Sequence, residues 1–481
     1  MTPSPPRRLS PGSSLLLLLV VALATPTVDA RMPLSQAVVR LADAAREYAA
    51  DGEFLAGLSL RQQMPDDTYP VFTLDDVWTM MKHRIGPTDA ALPACFRIPS
   101  LVRLNDATLL AFAEARSPSC ADCSTTGIVL KTSRDAGRTW SRIRYVVRPD
   151  GIGANPTTVY DARKGRVYLY YVRGTSRDPI HNETMCSPGA TNWYVTSDDG
   201  GATWAAPVEM TAMLGEYAGA LPGPGNAVQQ PDGRLVIPYH YGTAQRPWGR
   251  DVAVWSDDGE RYTVATTALP RMDEATVVSV ARPALAATPG DAPPPPLVLW
   301  MRNAHNNATC ACKARSVSTD NGVTWSPPAD EPQLLDPICQ GSAAAFDATV
   351  FYVGPRFRYA RSRLTLWHAP ATAVHNATQH DAPTPWSRLA VTDASVYTDY
   401  SALTNGQMRD PATPDRSHVG VLWGGCALPF PFRVWCARYW QVVYTRVAWP
   451  PATKDAPPCT VAAAAAAEGA TGGTTTTTTT A

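Results

Sequence analysis

The sequence predicts an all-β protein built as a six-bladed β-propeller, and three observations carry that expectation. An eight-residue box, Ser-x-Asp-x-Gly-x-Thr-Trp, occurs three times, at Ser133–Trp140, Ser197–Trp204 and Ser318–Trp325. Around the boxes lie short runs rich in β-branched and aromatic residues, each opened by a Gly or Asp-Gly turn, such as RVYLYYV after Gly165 and RLVIPYHY after Asp232-Gly233. The boxes are also evenly spaced. Ser133 to Ser197 is 64 residues, Ser197 to a degraded copy at Ser256 is 59, and Ser256 to Ser318 is 62.

A repeat of that length holds one four-stranded sheet that cannot bury its faces alone, which is the signature of a propeller blade. Between Pro70 and Pro450, roughly six such repeats fit. Within each box the residue types suit a tight hairpin. Asp accepts backbone N–H groups across the turn, Gly supplies positive φ, and Trp anchors the turn between sheets. The stretch ending at Trp386 (QHDAPTPW) is a candidate fifth copy. These boxes argue for fold and not for chemistry.

Taken in order, the chain opens with a segment expected to be a signal peptide, residues 1–30. Arg7 and Arg8 precede an apolar run from Leu15 to Ala24, followed by small residues suited to cleavage. That run is shorter than the ~20 apolar residues needed to span a bilayer, and no other transmembrane candidate is present. Residues 31–69 form an expected N-terminal helical extension, because residues 35–60 place apolar side chains at helical spacing. Residues 70–449 form the expected propeller. From residue 450 to 481 the chain is Pro-, Ala- and Thr-rich, ends in seven threonines before Ala481, and reads as a low-complexity disordered tail.

Charge balance excludes some partners. Lys+Arg and Asp+Glu each number 42, so no net field recruits nucleic acid or an anionic membrane, and recognition must come from a local site. Ten cysteines and three N-glycosylation sequons, at Asn182, Asn307 and Asn376, fit an oxidising lumen. The expected address is the secretory pathway, with secretion outside the cell fitting the signal peptide. Cys120 with Cys123, and Cys310 with Cys312, have spacings that a metal or redox site also uses, but no His pair stands nearby at ligand spacing.

One stretch carries a family signal. Cys95-Phe-Arg-Ile-Pro-Ser-Leu-Val102 is followed by Thr108-Leu-Leu-Ala-Phe-Ala-Glu-Ala-Arg116 and then by the boxes. In this order the motifs resemble the sialidases (neuraminidases), the animal lysosomal type above all, over most of residues 70–445. The resemblance implies an exo-α-sialidase that removes terminal sialic acid from glycoproteins, gangliosides and oligosaccharides, with no metal or organic cofactor, and it adds the lysosomal lumen as an alternative address to secretion.

Sialic acid carries a carboxylate on its anomeric carbon, and arginine suits it because the planar guanidinium binds carboxylate through two parallel hydrogen bonds and stays charged. By motif, the resemblance assigns this task to Arg97, to Arg302 in Leu299-Trp-Met-Arg-Asn303, and to Arg361 in Arg361-Ser-Arg-Leu-Thr-Leu366, with Arg356, Arg358 and Arg363 as competitors. Arg116 lines the same pocket.

A carboxylate nucleophile would approach this anion against repulsion, so sialidases use a tyrosine. The match is Tyr400 in Asp399-Tyr-Ser-Ala-Leu403, with Tyr397 as the alternative. Its base is matched by Glu274, with Asp273 as competitor, and the general acid by Asp122, six residues after Arg116. Two departures stand out. Gly424 occupies the place of a glutamate that braces the first arginine in many sialidases, and a Pro-rich insertion lies at Thr288 to Pro296. A sialic-acid-binding propeller without turnover, or a trans-sialidase, remains an alternative expectation.

Overall fold

The computed structural model describes residues 67–83, 85, 92–122, 124–174, 190–243, 246–280, 294–303, 310–358, 361–379, 382–390, 392, 397–426 and 441–449. The expected signal peptide, nearly all of the helical extension, the C-terminal tail and the centres of the three sequons lie outside these residues, except Asn376.

The described chain is mostly β, arranged as antiparallel sheets that follow one another along the sequence. One nine-stranded sheet consists of two meanders and the short strand Gly225–Asn226, which pairs parallel with Ile152–Asp161. The first meander runs Cys95–Arg103, Leu109–Ser117, Thr125–Ser133 and Arg144–Val147; the second runs Ile152–Asp161, Arg166–Gly174, Thr191–Ser197 and Val208–Glu209. The meanders touch through the parallel pair Thr126↔Ile152. A third unit is centred on the hairpin Leu235–Thr243 and Arg246–Ser256. Two further four-stranded sheets follow, Met272–Ser279 to Ala329–Leu335 and Ser342–Phe346 to Ser387–Ala390.

In the last sheet the two ends of the described chain meet. Its order is Thr68–Phe72, Gln441–Ala448, Thr413–Cys426 and Tyr397–Leu403, with Thr68 opposite Thr445. The outer strand therefore begins at Thr68, slightly ahead of Pro70.

All three full boxes occupy the same place, between the third and fourth strands of a unit. Their bonds are the same as well. Ser133 Oγ donates to Asp135 and accepts the Gly137 N–H at 2.9 Å, while Asp135 accepts both the backbone N–H and the hydroxyl of Thr139. Ser197, Asp199 and Thr203 repeat this pattern, and so do Ser318, Asp320 and Thr324. Two of the tryptophans reach across to the preceding unit: Trp140 meets Tyr444 edge-on at 5.6 Å, and Trp204 meets Phe112 at 5.8 Å.

Apolar clusters fill the spaces between successive sheets. Leu110, Phe112 and Ile128 of the first meander pack with Leu169, Tyr171 and Val195 of the second. Phe72, Leu422 and Tyr444 of the last sheet pack with Phe96, Leu109 and Val129 of the first meander, so the series of sheets returns to its start.

Among the described residues, two α-helices and the 3-10 helix Thr211–Tyr217 interrupt a region expected to be all-β from Pro70 onward. Leu74–His83 opens with Thr73 and Asp76 in a capping arrangement, where the Asp76 carboxylate accepts the Thr73 N–H at 2.9 Å, and it buries Met80 against the apolar cluster beneath. The other α-helix, Ala371–Gln379, stands between the third and fourth strands of its sheet, where three of the other units carry a full box. The expected fifth copy near Trp386 thus follows a helix, and Trp386 is buried edge-on to Trp300 at 5.6 Å.

Buried side chains tie the first strands of the units together. Gln340 donates to the carbonyls of Pro224 and Ser401 and accepts the Ser401 N–H, and Asn226 donates to Leu403 O. These bonds satisfy backbone groups that would otherwise be buried without partners.

Candidate active site

Three of the units have a first strand that is irregular where it carries a polar side chain of the candidate site. Arg97 borders a register shift between Arg97 and Ser100, where Ile98 has φ 51°. Glu274 occupies a shift between Asp273 and Ala275, and Asp399 with Tyr400 occupies one between Thr398 and Ser401. A bulge re-aims a side chain that regular alternation would send to the neighbouring sheet. Three unrelated segments thereby direct their polar groups into one place.

All seven residues singled out in the sequence lie in one connected network. The Tyr400 hydroxyl donates to Glu274 Oε1. Arg302 Nη1 donates to Glu274 Oε2 at 2.7 Å and to the Tyr400 oxygen at 3.2 Å. The guanidinium carbons of Arg97 and Arg361 lie 6.0 and 5.7 Å from the Tyr400 ring centre. Arg116 Nη1 donates to Asp122 at 2.5 Å, and Arg97 Nη1 to the same oxygen at 3.3 Å. Asp122 is itself 71% exposed, on the loop after the Leu109–Ser117 strand.

That loop is tethered by a disulfide between Cys120 and Cys95, so Cys120 is paired outside its own Cys-x-x-Cys segment. Cys310 is joined to Cys312. Cys339 is free and buried among Ile98 and Tyr400, and burial pushes its thiol up to about 12.

The electrostatics follow from burial and pairing. Burial and the neighbouring Glu274 hold the Tyr400 phenol well above its ordinary value, against the opposing pull of Arg302 and Arg361. The group is therefore neutral until a base takes its proton. For Asp122, desolvation works upward, but Arg116 and then Arg97 outweigh it and hold the carboxyl below the ordinary Asp value. Desolvation of Arg302 opposes its charge, yet Glu274 and Asp273 keep it firmly protonated.

Sequence reasoning passed over two members of this network, Asp399 and Glu114, and weighed a third, Asp273, only as a competitor for the base. Asp399 is buried and bridges two arginines: Arg97 donates to its Oδ2 through Nε at 3.2 Å and Nη2 at 2.7 Å, and Arg361 Nη1 donates to Oδ1 at 2.6 Å. Arg97 is thus braced although Gly424 offers no carboxylate. Glu114 clamps Arg116 through Nε at 2.7 Å, and Asp273 lies 3.3 Å from Arg302 Nε. An acid beside a candidate nucleophile, or two residues before a pocket arginine on the same strand face, was the available signal. Of the competitors for the third arginine, Arg363 is buried with φ 59°, and Arg361 is the one that reaches Asp399.

Residues 107–407 match the family described as BNR repeat-like domain. A sialidase of Bacteroides fragilis (strain YCH46) is 25% identical over 275 residues, covering 53% of this chain and 47% of its own length. Sialidase-3 of Mus musculus is 29% identical over 306 residues, covering 58% of this chain and 67% of its own. The chain belongs to the sialidase family. It spans about half to two thirds of the length of the curated relatives it matches. Among solved structures, the Hadza microbial sialidase Hz136 superposes with a TM-score of 0.56 at 20% identity, covering 74% of this chain and 66% of that one, a likeness of fold. No helix among the described residues is long and apolar enough to cross a membrane.

Proposed function

We propose that this member of the sialidase family is an exo-α-sialidase that releases terminal α-linked sialic acid with retention of configuration, using Tyr400 as nucleophile. The observation that carries the reading is the hydrogen bond from the Tyr400 hydroxyl to Glu274, made between arginines 97, 302 and 361. A lectin needs cations for the substrate carboxylate but has no use for a buried phenol and base paired beside them.

In the proposed first step the Tyr400 oxygen attacks the anomeric carbon while Glu274 takes the phenolic proton. The bond to the leaving sugar breaks, and Asp122 gives its proton to the glycosidic oxygen. In the second step Asp122 takes a proton from water, the hydroxide attacks the anomeric carbon, and the tyrosine oxygen leaves and regains its proton from Glu274. Arg97, Arg302 and Arg361 hold the carboxylate throughout, and Arg116 positions Asp122.

Support for a six-bladed body comes from counting the two meanders of the nine-stranded sheet separately, which gives six units whose last packs on the first. In this reading residues 70–449 form the propeller, with the chain drawn into the secretory pathway by residues 1–30 and carrying a tail from residue 450. Sialylated glycoproteins, gangliosides and oligosaccharides are the proposed substrates.

The test is release of a fluorescent leaving group from α-linked sialosides by protein made in a secretory host, beside Tyr400→Phe and Asp122→Ala. Turnover that Tyr400→Phe abolishes supports the assignment. Turnover unchanged in Tyr400→Phe moves the nucleophile, and a folded parent that binds sialic acid without turnover is a lectin. Supplying lactose as acceptor and following sialyllactose separates transfer from hydrolysis.

A further inference from the structure

The strand Tyr397–Leu403 pairs regularly with Thr413–Cys426 from Leu403↔Val421 to Ser401↔Trp423, and pairing resumes at Thr398↔Gly425. Asp399 and Tyr400 together therefore face the single residue Gly424. Nothing in the backbone demands glycine there. Gly424 is not among the described glycines with positive φ, and a Cβ at that position would meet Asp399 Cβ at 3.7 Å and Tyr400 O at 3.9 Å, both ordinary contacts. A side chain at 424 would start beside the root of the Asp399 side chain and compete with it for the same space.

From this geometry we propose that Asp399 is a positioning residue that sets the separation of Arg97 and Arg361 with one carboxylate, and that the missing side chain at Gly424 is the other half of the same device. One oxygen serves each guanidinium, so the two cations are held at a fixed separation beside the Tyr400 ring. The bulge that aims Tyr400 at Glu274 also aims Asp399 away from it, toward the arginines. Without this carboxylate, two largely buried cations would face each other with less compensation, although Arg97 keeps Asp122 and Arg361 keeps the Ile338 carbonyl. A carboxylate supplied from position 424 can take over the task only when Asp399 has gone, because both together would crowd the same pair of arginines.

This inference deepens the sialidase reading and rests on it for its kinetic arm. The experiment compares Asp399→Asn, Asp399→Gly, Gly424→Glu and the double variant Asp399→Gly/Gly424→Glu by kcat, KM and thermal unfolding. Asp399→Asn, close in shape but neutral, is expected to lower kcat/KM about 100-fold with a raised KM. A purely structural role would lower the melting temperature and leave KM of the folded enzyme alone. Gly424→Glu should harm the parent but improve the Asp399→Gly variant at least about tenfold. Unchanged KM and kcat in folded Asp399→Asn, or equal harm from Gly424→Glu in both backgrounds, overturns the proposal. Should the parent turn over no sialoside, the sialidase reading fails separately. The melting temperatures then decide: recovery in the double variant supports the shared carboxylate task, and additive losses overturn it.

Discussion

Tyr400 and Glu274, 126 positions apart, meet through a single hydrogen bond in which the buried phenol donates to the carboxylate. Each stands on an irregular first strand of a different sheet, and Arg302 donates to both. Their contact joins an acid–base pair to the cations that would hold an anionic substrate.

Removing the base should therefore slow the chemistry more than it weakens binding. Glu274→Gln keeps the shape of the side chain and its contact with the hydroxyl but cannot take the proton. In steady-state kinetics on a fluorogenic sialoside, kcat should fall about 100- to 10,000-fold with KM changed much less. A large rise in KM at unchanged kcat would instead make Glu274 a binding group.

Asp122 gives a pH prediction. In the free protein, Arg116 and Arg97 hold its carboxyl below the ordinary range, so at neutral pH it is ionised and cannot donate a proton. A bound substrate carboxylate offsets the positive charge of Arg97 and raises the Asp122 pKa. The fall in rate on the alkaline side should accordingly lie at higher pH for kcat, which reports the complex, than for kcat/KM, which reports the free enzyme. Arg116→Met, which removes the larger of the two charge effects, should move the kcat/KM limb toward higher pH. Full pH profiles of both proteins check this.

The turn boxes give a stability prediction with a built-in control. Gly137 has φ 91°, and a Cβ there would lie 2.0 Å from Cε1 of Tyr444, in the neighbouring sheet. Gly137→Ala should cost about 2–4 kcal/mol, from the left-handed backbone and the crowding of a well-packed ring together. Gly165 has φ 66° with open space around it, so Gly165→Ala should cost only the backbone share, about 1–2 kcal/mol. Urea unfolding of the two variants compares them.

Much of this architecture is legible in the sequence because its signals are local. A box of eight residues closes its own hydrogen bonds, so Asp135, Asp199 and Asp320 announce their turns without tertiary help. The site residues were found by motif, and their convergence depends on contacts across sheets that periodicity cannot reveal. Asp399 escaped because an acid on a strand reads as an exposed position unless the bulge beside it is known. The pairing of Cys95 with Cys120 escaped because spacing favours no partner for either. Helix Leu74–His83 did carry a local signal, Thr73 with Asp76, which the surrounding β-rich pattern outweighed.

Asp399 also makes the fold sensitive to acid in a defined direction. Burial works to raise its pKa, but Arg97 and Arg361 outweigh that, so the folded value lies below the ordinary one. A carboxyl depressed in the folded state contributes stability that is fully present above the unfolded value, near 4, and is lost as pH falls through the folded value. Asp399→Asn removes this contribution. At neutral pH the variant should be less stable than the parent by about 3–5 kcal/mol, the cost of stranding a buried partner charge. As the pH is lowered below about 4 the parent loses the same contribution, and the gap between the two should narrow. Thermal unfolding of both proteins from pH 7 to pH 3 measures that gap directly, and a gap that stays constant across the range would mean that Asp399 acts through its shape and not through its charge.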